Sequence, residues 1–131
     1  MADSFDPTIV KGDTLRWQMA LTDSTGATYD LTGVTLFMQV RKSYFPGPTL
    51  YQAILNVTTG STLYTPDGVT GGISATATGG ICNICVGSAY TINFPQYSGG
   101  FYDIQAIKPS NGGVDTLLRG KINVLPDVSE T

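Results

Sequence analysis

Three groups of residues in this sequence are of types that could do chemistry: the pair Cys82 and Cys85, the carboxylates Asp103 and Asp115, and a set of aromatic side chains. Two thiols three residues apart could carry redox exchange or hold zinc. A Cys-x-x-Cys redox motif normally opens a helix, and a zinc site of this type needs two more Cys or His ligands. The run Ile81-Cys82-Asn83-Ile84-Cys85 reads instead as strand, which points residues three apart to opposite faces. The chain has no histidine and no third cysteine. Both cysteines are therefore expected to be free thiols that behave as small buried or half-buried apolar side chains.

Asp103 and Asp115 could face one another across the last hairpin, as an acid and base pair or as part of a calcium site. Calcium takes six or more oxygen ligands, and two lone carboxylates on neighbouring strands are ordinarily solvated surface. With no histidine for proton transfer near neutral pH, and with Glu130 as the only glutamate, no catalytic, cofactor or metal residue is assigned. The chain reads as a non-enzyme. The aromatic candidates Tyr44, Phe45, Tyr51, Tyr64, Tyr90 and Tyr97 could stack on sugar rings, which keeps a carbohydrate-binding module as the alternative of a different class. Tyrosines equally pack onto sheets or sit at protein interfaces, where they are enriched. Asn56-Val57-Thr58 matches a glycosylation sequon, but it falls on a predicted strand and reads as chance.

At 131 residues the chain fits one domain, with residues 1–12 as an N-terminal arm or edge strand and 126–131 as a short tail. Hydrophobic residues make up 41% and charged residues 13%, about half the usual charged fraction. Much of the surface must therefore be Thr, Ser, Gly, Asn and Tyr. A net charge of −3 without a basic cluster lacks the footprint of nucleic-acid binding. Residues 1–13 have neither the basic nor the apolar region of a signal peptide, and no apolar run approaches the length of a spanning helix. The expectation is a product made in the cytosol that engages neither nucleic acid nor membrane.

Alternation of apolar and polar residues, the mark of half-buried strands, is clearest at the two ends. In 14–21, Leu15, Trp17, Met19 and Leu21 share the core face, opposite Arg16, Gln18 and Ala20. In 34–42, Val34, Leu36, Met38 and Val40 turn inward and Phe37 outward. Pro46 and Pro48 end that strand. Residues 50–57 can be read on either face, with Leu50, Gln52 and Ile54 on one and Tyr51, Ala53, Leu55 and Val57 on the other, and the second set is taken as inward. The turn-rich stretch 58–72, holding Leu63, Tyr64 and a Pro66-Asp67-Gly68 turn with Pro at its second position, is long for a hairpin, and such loops tend to be functional or mobile. Residues 73–78 and 81–86 are two short strands or one broken at Gly79 and Gly80, and 88–97 has room for a helical turn. Tyr102, Ile104 and Ala106 face inward in 101–108. After a turn at 109–113, Leu118, Ile122 and Val124 face inward in 114–125. Seven to nine short strands without a disulfide predict an all-β, two-sheet antiparallel sandwich of immunoglobulin-like type. In such folds a tyrosine opens the penultimate strand with its ring in the core and its hydroxyl on backbone, the position held here by Tyr102, two residues before Ile104.

The order Lys11-Gly12-Asp13-Thr14, Asp30-Leu31-Thr32-Gly33, Gln39-Val40-Arg41-Lys42, Gly100-Phe101-Tyr102-Asp103-Ile104 and Leu117-Leu118-Arg119-Gly120-Lys121-Ile122-Asn123-Val124 resembles small immunoglobulin-like structural proteins of tailed bacteriophages. It is similar to the N-terminal domain of upper baseplate proteins and to tail or fibre-associated proteins. The resemblance covers the two ends of the chain and leaves 46–97 unassigned. It implies a virion component that docks to other tail, baseplate, fibre or capsid proteins, as an adaptor or as a capsid decoration protein, in a symmetric homo-oligomeric assembly. Trp17, Tyr102, Ile104 and Gly120 are expected to be structural, with Gly12, Gly33 and Gly120 at turns or close backbone approaches. Phe37, Tyr44, Phe45, Leu63 and Tyr64 are the candidate interface, with loops 43–48 and 58–72 expected against neighbouring chains.

Overall fold

A computed structural model of the chain describes residues 3–22, 25–42, 48–96, 100–108 and 112–126. Among these the strands are, in order, β1 (Asp3–Ser4), β2 (Thr8–Val10), β3 (Leu15–Ala20), β4 (Thr35–Arg41), β5 (Thr49–Asn56), β6 (Gly71–Ala75), β7 (Ile81–Val86), β8 (Gly100–Ile107) and β9 (Val114–Leu125), with one helical turn, α1 (Ser88–Thr91). They form two sheets. The larger runs β1-β9-β8-β4-β5, with β2 also on β9, and the smaller runs β3-β7-β6. Neighbours are antiparallel except β1 and β2, which lie parallel to β9.

The period-two pattern decides which face each strand buries. Leu36, Met38 and Val40 of β4, Tyr102, Ile104 and Ala106 of β8, and Leu118, Ile122 and Val124 of β9 are all buried. From the smaller sheet come Leu15, Ile73, Ala75, Cys82, Ile84 and Val86, and both sets belong to one apolar cluster that also takes in Leu31 and Phe94. Each large side chain removed from water in this way contributes about 1.5 to 3 kcal/mol before entropy is counted. Trp17, Met19 and Leu21 are partly buried against the same cluster. Residues 71–86 form two strands, with the turn between them stabilised by Thr76, whose amide donates to Ile81 O at 2.9 Å. Connections are tied into the body as well: the Leu31 amide donates to Ala77 O at 2.7 Å, and buried Thr91 on α1 donates its hydroxyl to Asp13 O at 2.7 Å.

The N-terminal arm reaches β9 in two pieces. β1 pairs at Leu118 and Arg119 and β2 at Asn123 to Leu125, so the crossing between them, Phe5-Asp6-Pro7, leaves a gap in the ladder. Other groups fill that gap. The Lys121 amide donates to Asp6 Oδ1 at 2.9 Å, and the Asn123 amide donates to Pro7 O at 2.8 Å. Phe5 O accepts the Tyr102 hydroxyl at 2.6 Å. Gly120 lies directly beneath, where a Cβ would collide with the Phe5 carbonyl. The Phe5 ring meets Trp17 edge-on at 5.6 Å, and Trp17 meets Tyr102 at 5.5 Å. Tyr102 is thus buried with its hydroxyl on backbone, but that backbone is the arm, 97 residues away in sequence, and not the neighbouring corner.

Two substitutions test this crossing. Tyr102→Phe leaves Phe5 O without its buried donor and should cost about 1 to 3 kcal/mol. Gly120→Ala should cost a similar ~1 to 3 kcal/mol by pushing the arm off β9. Because both act on one contact, the double variant should lose clearly less than the sum in urea unfolding. Additive losses would show that the hydroxyl and the glycine serve different contacts.

Candidate interaction surfaces

The excursion between β5 and β6 does not project into solvent. It crosses the outer face of the smaller sheet as a strap, held by groups that the sheet presents outward. Ser74, fully buried, donates its hydroxyl to Tyr64 O at 2.7 Å and accepts the Tyr64 amide at 3.2 Å. Asn83 Nδ2 donates to the same carbonyl at 3.1 Å, Arg16 to Pro66 O at 2.7 Å, and the Thr14 hydroxyl to Gly68 O at 2.6 Å. The tight turn falls two residues later than the Pro66 pattern predicts: the Asp67 carboxylate accepts the Val69 amide at 2.8 Å, and Asp67 O accepts the Gly71 amide at 2.7 Å. Asp67 initiates the turn because its side chain imitates a backbone acceptor.

The strap explains both thiols. Cys82 points into the core and Cys85 to the outer face, yet both are fully buried and free, since the strap covers Cys85. Burial pushes the Cys82 thiol up to about 12. Burial also raises Cys85, opposed by the nearby Arg16 guanidinium and reinforced by Asp67. Beside the strap lies a cavity of about 280 Å³ between Arg16, Gln18 and Asn83 on the sheet and Thr65 and Pro66 on the strap. Its polar groups are already engaged: Gln18 Nε2 donates to Asn83 Oδ1 at 3.0 Å, and Arg16 serves Pro66 as above. Trp17 Nε1 is buried without a hydrogen-bond partner among the described residues.

The aromatic candidates do not form a common platform. Tyr51 is buried, its hydroxyl on Cys85 O at 3.1 Å and its ring edge-on to Tyr90 at 4.8 Å. A stacking role for Tyr51 is therefore corrected to a core role. Tyr64 is 56% exposed, but its hydroxyl reaches back to Ile73 O at 3.5 Å. Leu63 is half-buried on the strap. Tyr44, Phe45 and Tyr97 lie outside the described residues.

The outer face of the larger sheet carries the remaining candidates. Phe37, half-buried, stands opposite Ile54 on β5 and Gln105 on β8. One register step along, Ile107 stands between Thr35 and Val114. With Ile54 55% and Val114 53% exposed, the four residues make an apolar diagonal across four strands. The adjacent row is polar: Gln39 Nε2 donates to Gln52 Oε1 at 3.1 Å, and Arg41 Nε donates to Gln39 Oε1 at 3.0 Å. Asp103 completes that row opposite Arg119. Burial raises its carboxyl above the ordinary value, with Arg41 and Arg119 pulling it down.

Asp103 and Asp115 do not meet. The Lys108 amide donates to Gly113 O at 2.8 Å; this closure sets Asp115 opposite Ala106, and a register shift between Ile104 and Gln105 sets Asp103 opposite Arg119. Asp115 pairs with Lys108 at 3.0 Å and accepts the Tyr29 hydroxyl at 3.3 Å. The Lys108 ammonium holds its carboxyl below the usual range. No group of three or more metal-binding side chains occurs among the described residues, and no helix there is long and apolar enough to cross a membrane. No protein-family model matches the chain, and no curated protein matches it.

Two outcomes follow. In the native state neither thiol should react with iodoacetamide at pH 8, and both should react once the protein is unfolded, because burial holds each in its protonated form. Rapid native labelling of Cys85 would mean that the strap opens. For Asp103, a folded-state value above the unfolded one means that the folded protein binds this proton more tightly. Stability from this group therefore rises as pH falls from above its folded value toward the ordinary aspartate range. Asp103→Asn should remove that increment, so the stability gap between wild type and variant should change in the wild type's favour between pH 7 and pH 4. A gap independent of pH would refute the burial effect.

Proposed function

We propose that the chain is a non-enzymatic structural protein of a tailed-phage virion, a docking or adaptor module of the tail, baseplate or fibre-attachment region, with capsid decoration as the close variant. The fold assigned with it is an immunoglobulin-like sandwich. Its support is the strand order: β3-β7-β6 against β9-β8-β4-β5 is the division of strands B-E-D and G-F-C-C′, and side chains of both sheets share one core. The observation that carries the functional reading is the apolar diagonal Ile54, Phe37, Ile107, Val114, exposed at its two ends and half-buried between them, on a chain with so few charges. Contiguous apolar area of this kind marks surfaces that other proteins cover.

In this reading the protein works by geometry. A body whose N-terminal arm and strap are tied down presents a fixed face to neighbouring virion proteins and to further copies of itself. The carbohydrate-binding alternative draws less support, since Tyr51 is buried, Tyr90 packs on it and Tyr64 leans on β6. Imaging of intact particles should place this chain at symmetric positions in contact with tail, baseplate, fibre or capsid proteins. Particles lacking the gene product should lose attached components. Normal structure and infectivity without it, together with specific glycan binding by the purified protein, would reverse the order of the two readings.

A further inference from the structure

Sheet edges expose unpaired backbone groups, and proteins guard them with charge, proline, bulges or covering segments. Among the described residues, three of the four edges here are guarded. The arm brings Asp6 and Pro7 to the β9 side. β3 carries Arg16. On β6, five residues long and beginning with two glycines, the Ile73 carbonyl is taken by the Tyr64 hydroxyl. β5 is different. It ends the larger sheet, its eight residues Thr-Leu-Tyr-Gln-Ala-Ile-Leu-Asn hold no charge, proline or glycine, and among the described residues no backbone hydrogen bond leaves it except toward β4. Its irregularity against β4 falls at the Leu50 end, which leaves Tyr51 to Asn56 as regular strand.

We infer that the β5 edge is a self-association site, where β5 of a second copy of this chain adds antiparallel across a two-fold axis and joins two larger sheets into one. This rests on the assembly reading above and names the contact. The occupant is argued from the strand itself. A two-fold pairing sets a strand against its own sequence, so a charged edge repels itself and an uncharged one does not. With the axis at Ile54, the pairs across it are Ile54 with Ile54, Gln52 with Asn56, and Ala53 with Leu55. Faces are preserved: exposed Gln52, Ile54 and Asn56 meet on the outer face, and half-buried Ala53 and Leu55 on the core face. The amides are suited to meet. Within the chain, Gln52 uses Oε1 to accept from Gln39, and Asn56 uses Oδ1 to accept from Thr35 at 2.9 Å. The NH2 group of each has no protein partner among the described residues, and each oxygen keeps a second lone pair for the opposite amide. The apolar diagonal that ends at Ile54 would then continue through its symmetry mate onto the second sheet.

A ladder of this length is small beside the roughly 1,000 Å² of a stable interface, so the dimer should be concentration-dependent. The test combines two variants of the full-length protein. Ile54→Lys places two like charges at the axis and should weaken dimerisation in sedimentation by at least roughly ten-fold, with thermal unfolding nearly unchanged because Ile54 is exposed. Ile54→Cys should form a covalent dimer under a mild oxidant, since residues facing one another across antiparallel strands lie within disulfide reach. Val114→Cys, equally exposed but distant from the edge, should not. A dimer that survives Ile54→Lys, equal cross-linking by both cysteine variants, or a wild type that stays monomeric at high concentration each overturn the edge assignment. They leave the virion reading standing if particles still carry the chain, whereas absence from particles removes that reading even where the β5 dimer forms.

Discussion

The passage of Phe5-Asp6-Pro7 over Gly120 is the constraint on which the rest of the structure depends. A parallel strand laid on β9 would ordinarily continue its ladder, but here the arm breaks and lowers a carbonyl onto a position without a side chain. That descent brings Phe5 O to the Tyr102 hydroxyl. It also stacks Phe5, Trp17 and Tyr102 in sequence, so that residues of the arm, the smaller sheet and the larger sheet touch at one place. A buried carbonyl with no donor is costly, and a glycine with nothing above it would leave a void. Each half of the contact requires the other. Burial strongly disfavours the tyrosinate, raising the Tyr102 hydroxyl far above its ordinary range with Asp6 adding to the effect, so the donor stays a donor at any physiological pH.

The two outer faces are finished by different means. On the smaller sheet the strap supplies carbonyl oxygens, and the sheet supplies donors from Arg16, Thr14, Ser74 and Asn83. This is polar closure, and it buries Cys85, whose backbone carbonyl accepts the hydroxyl of the core residue Tyr51. Gly71 and Gly87 permit that approach, since a Cβ at either would collide with backbone. On the larger sheet nothing among the described residues closes the face. Its polar row is linked laterally, glutamine to glutamine and arginine to glutamine, while the two ends of the apolar diagonal are left to water.

Local pattern made much of this legible. The inward sets of β3, β4, β8 and β9 follow from alternation alone, because each of these strands has one wet face and the pattern is binary, whereas β5 alternates apolar residues on both faces. The strap was hidden for the opposite reason. β7 is buried on both faces, which turns alternation into the near-continuous run Ile-Cys-Asn-Ile-Cys-Val, and a run of this kind signals that something covers the outside without saying what. Ser74 was silent too, since a serine reads as surface until a carbonyl is found above it. The partner of Tyr102 could not be read at all, lying 97 residues away. The pairing of Asp103 with Asp115 failed on a single hydrogen-bonded closure at Lys108 and Gly113, because a hairpin's register is set by its turn.

A chain with so few charges has to manage its edges by other means. Charge is the least demanding guard, since it needs no partner and no particular backbone geometry. Here the arm uses a proline and one aspartate, the smaller sheet uses a tyrosine hydroxyl, and both devices work only because a long segment is tied down beside them. β5 ends its sheet with no hydrogen-bonded segment beyond it among the described residues. An edge that is regular, neutral and amide-bearing is a poor solution for a protein that must stay alone. For a subunit that meets its own copy it is a consistent one, since the same neutrality that fails to repel a stranger also fails to repel a twin.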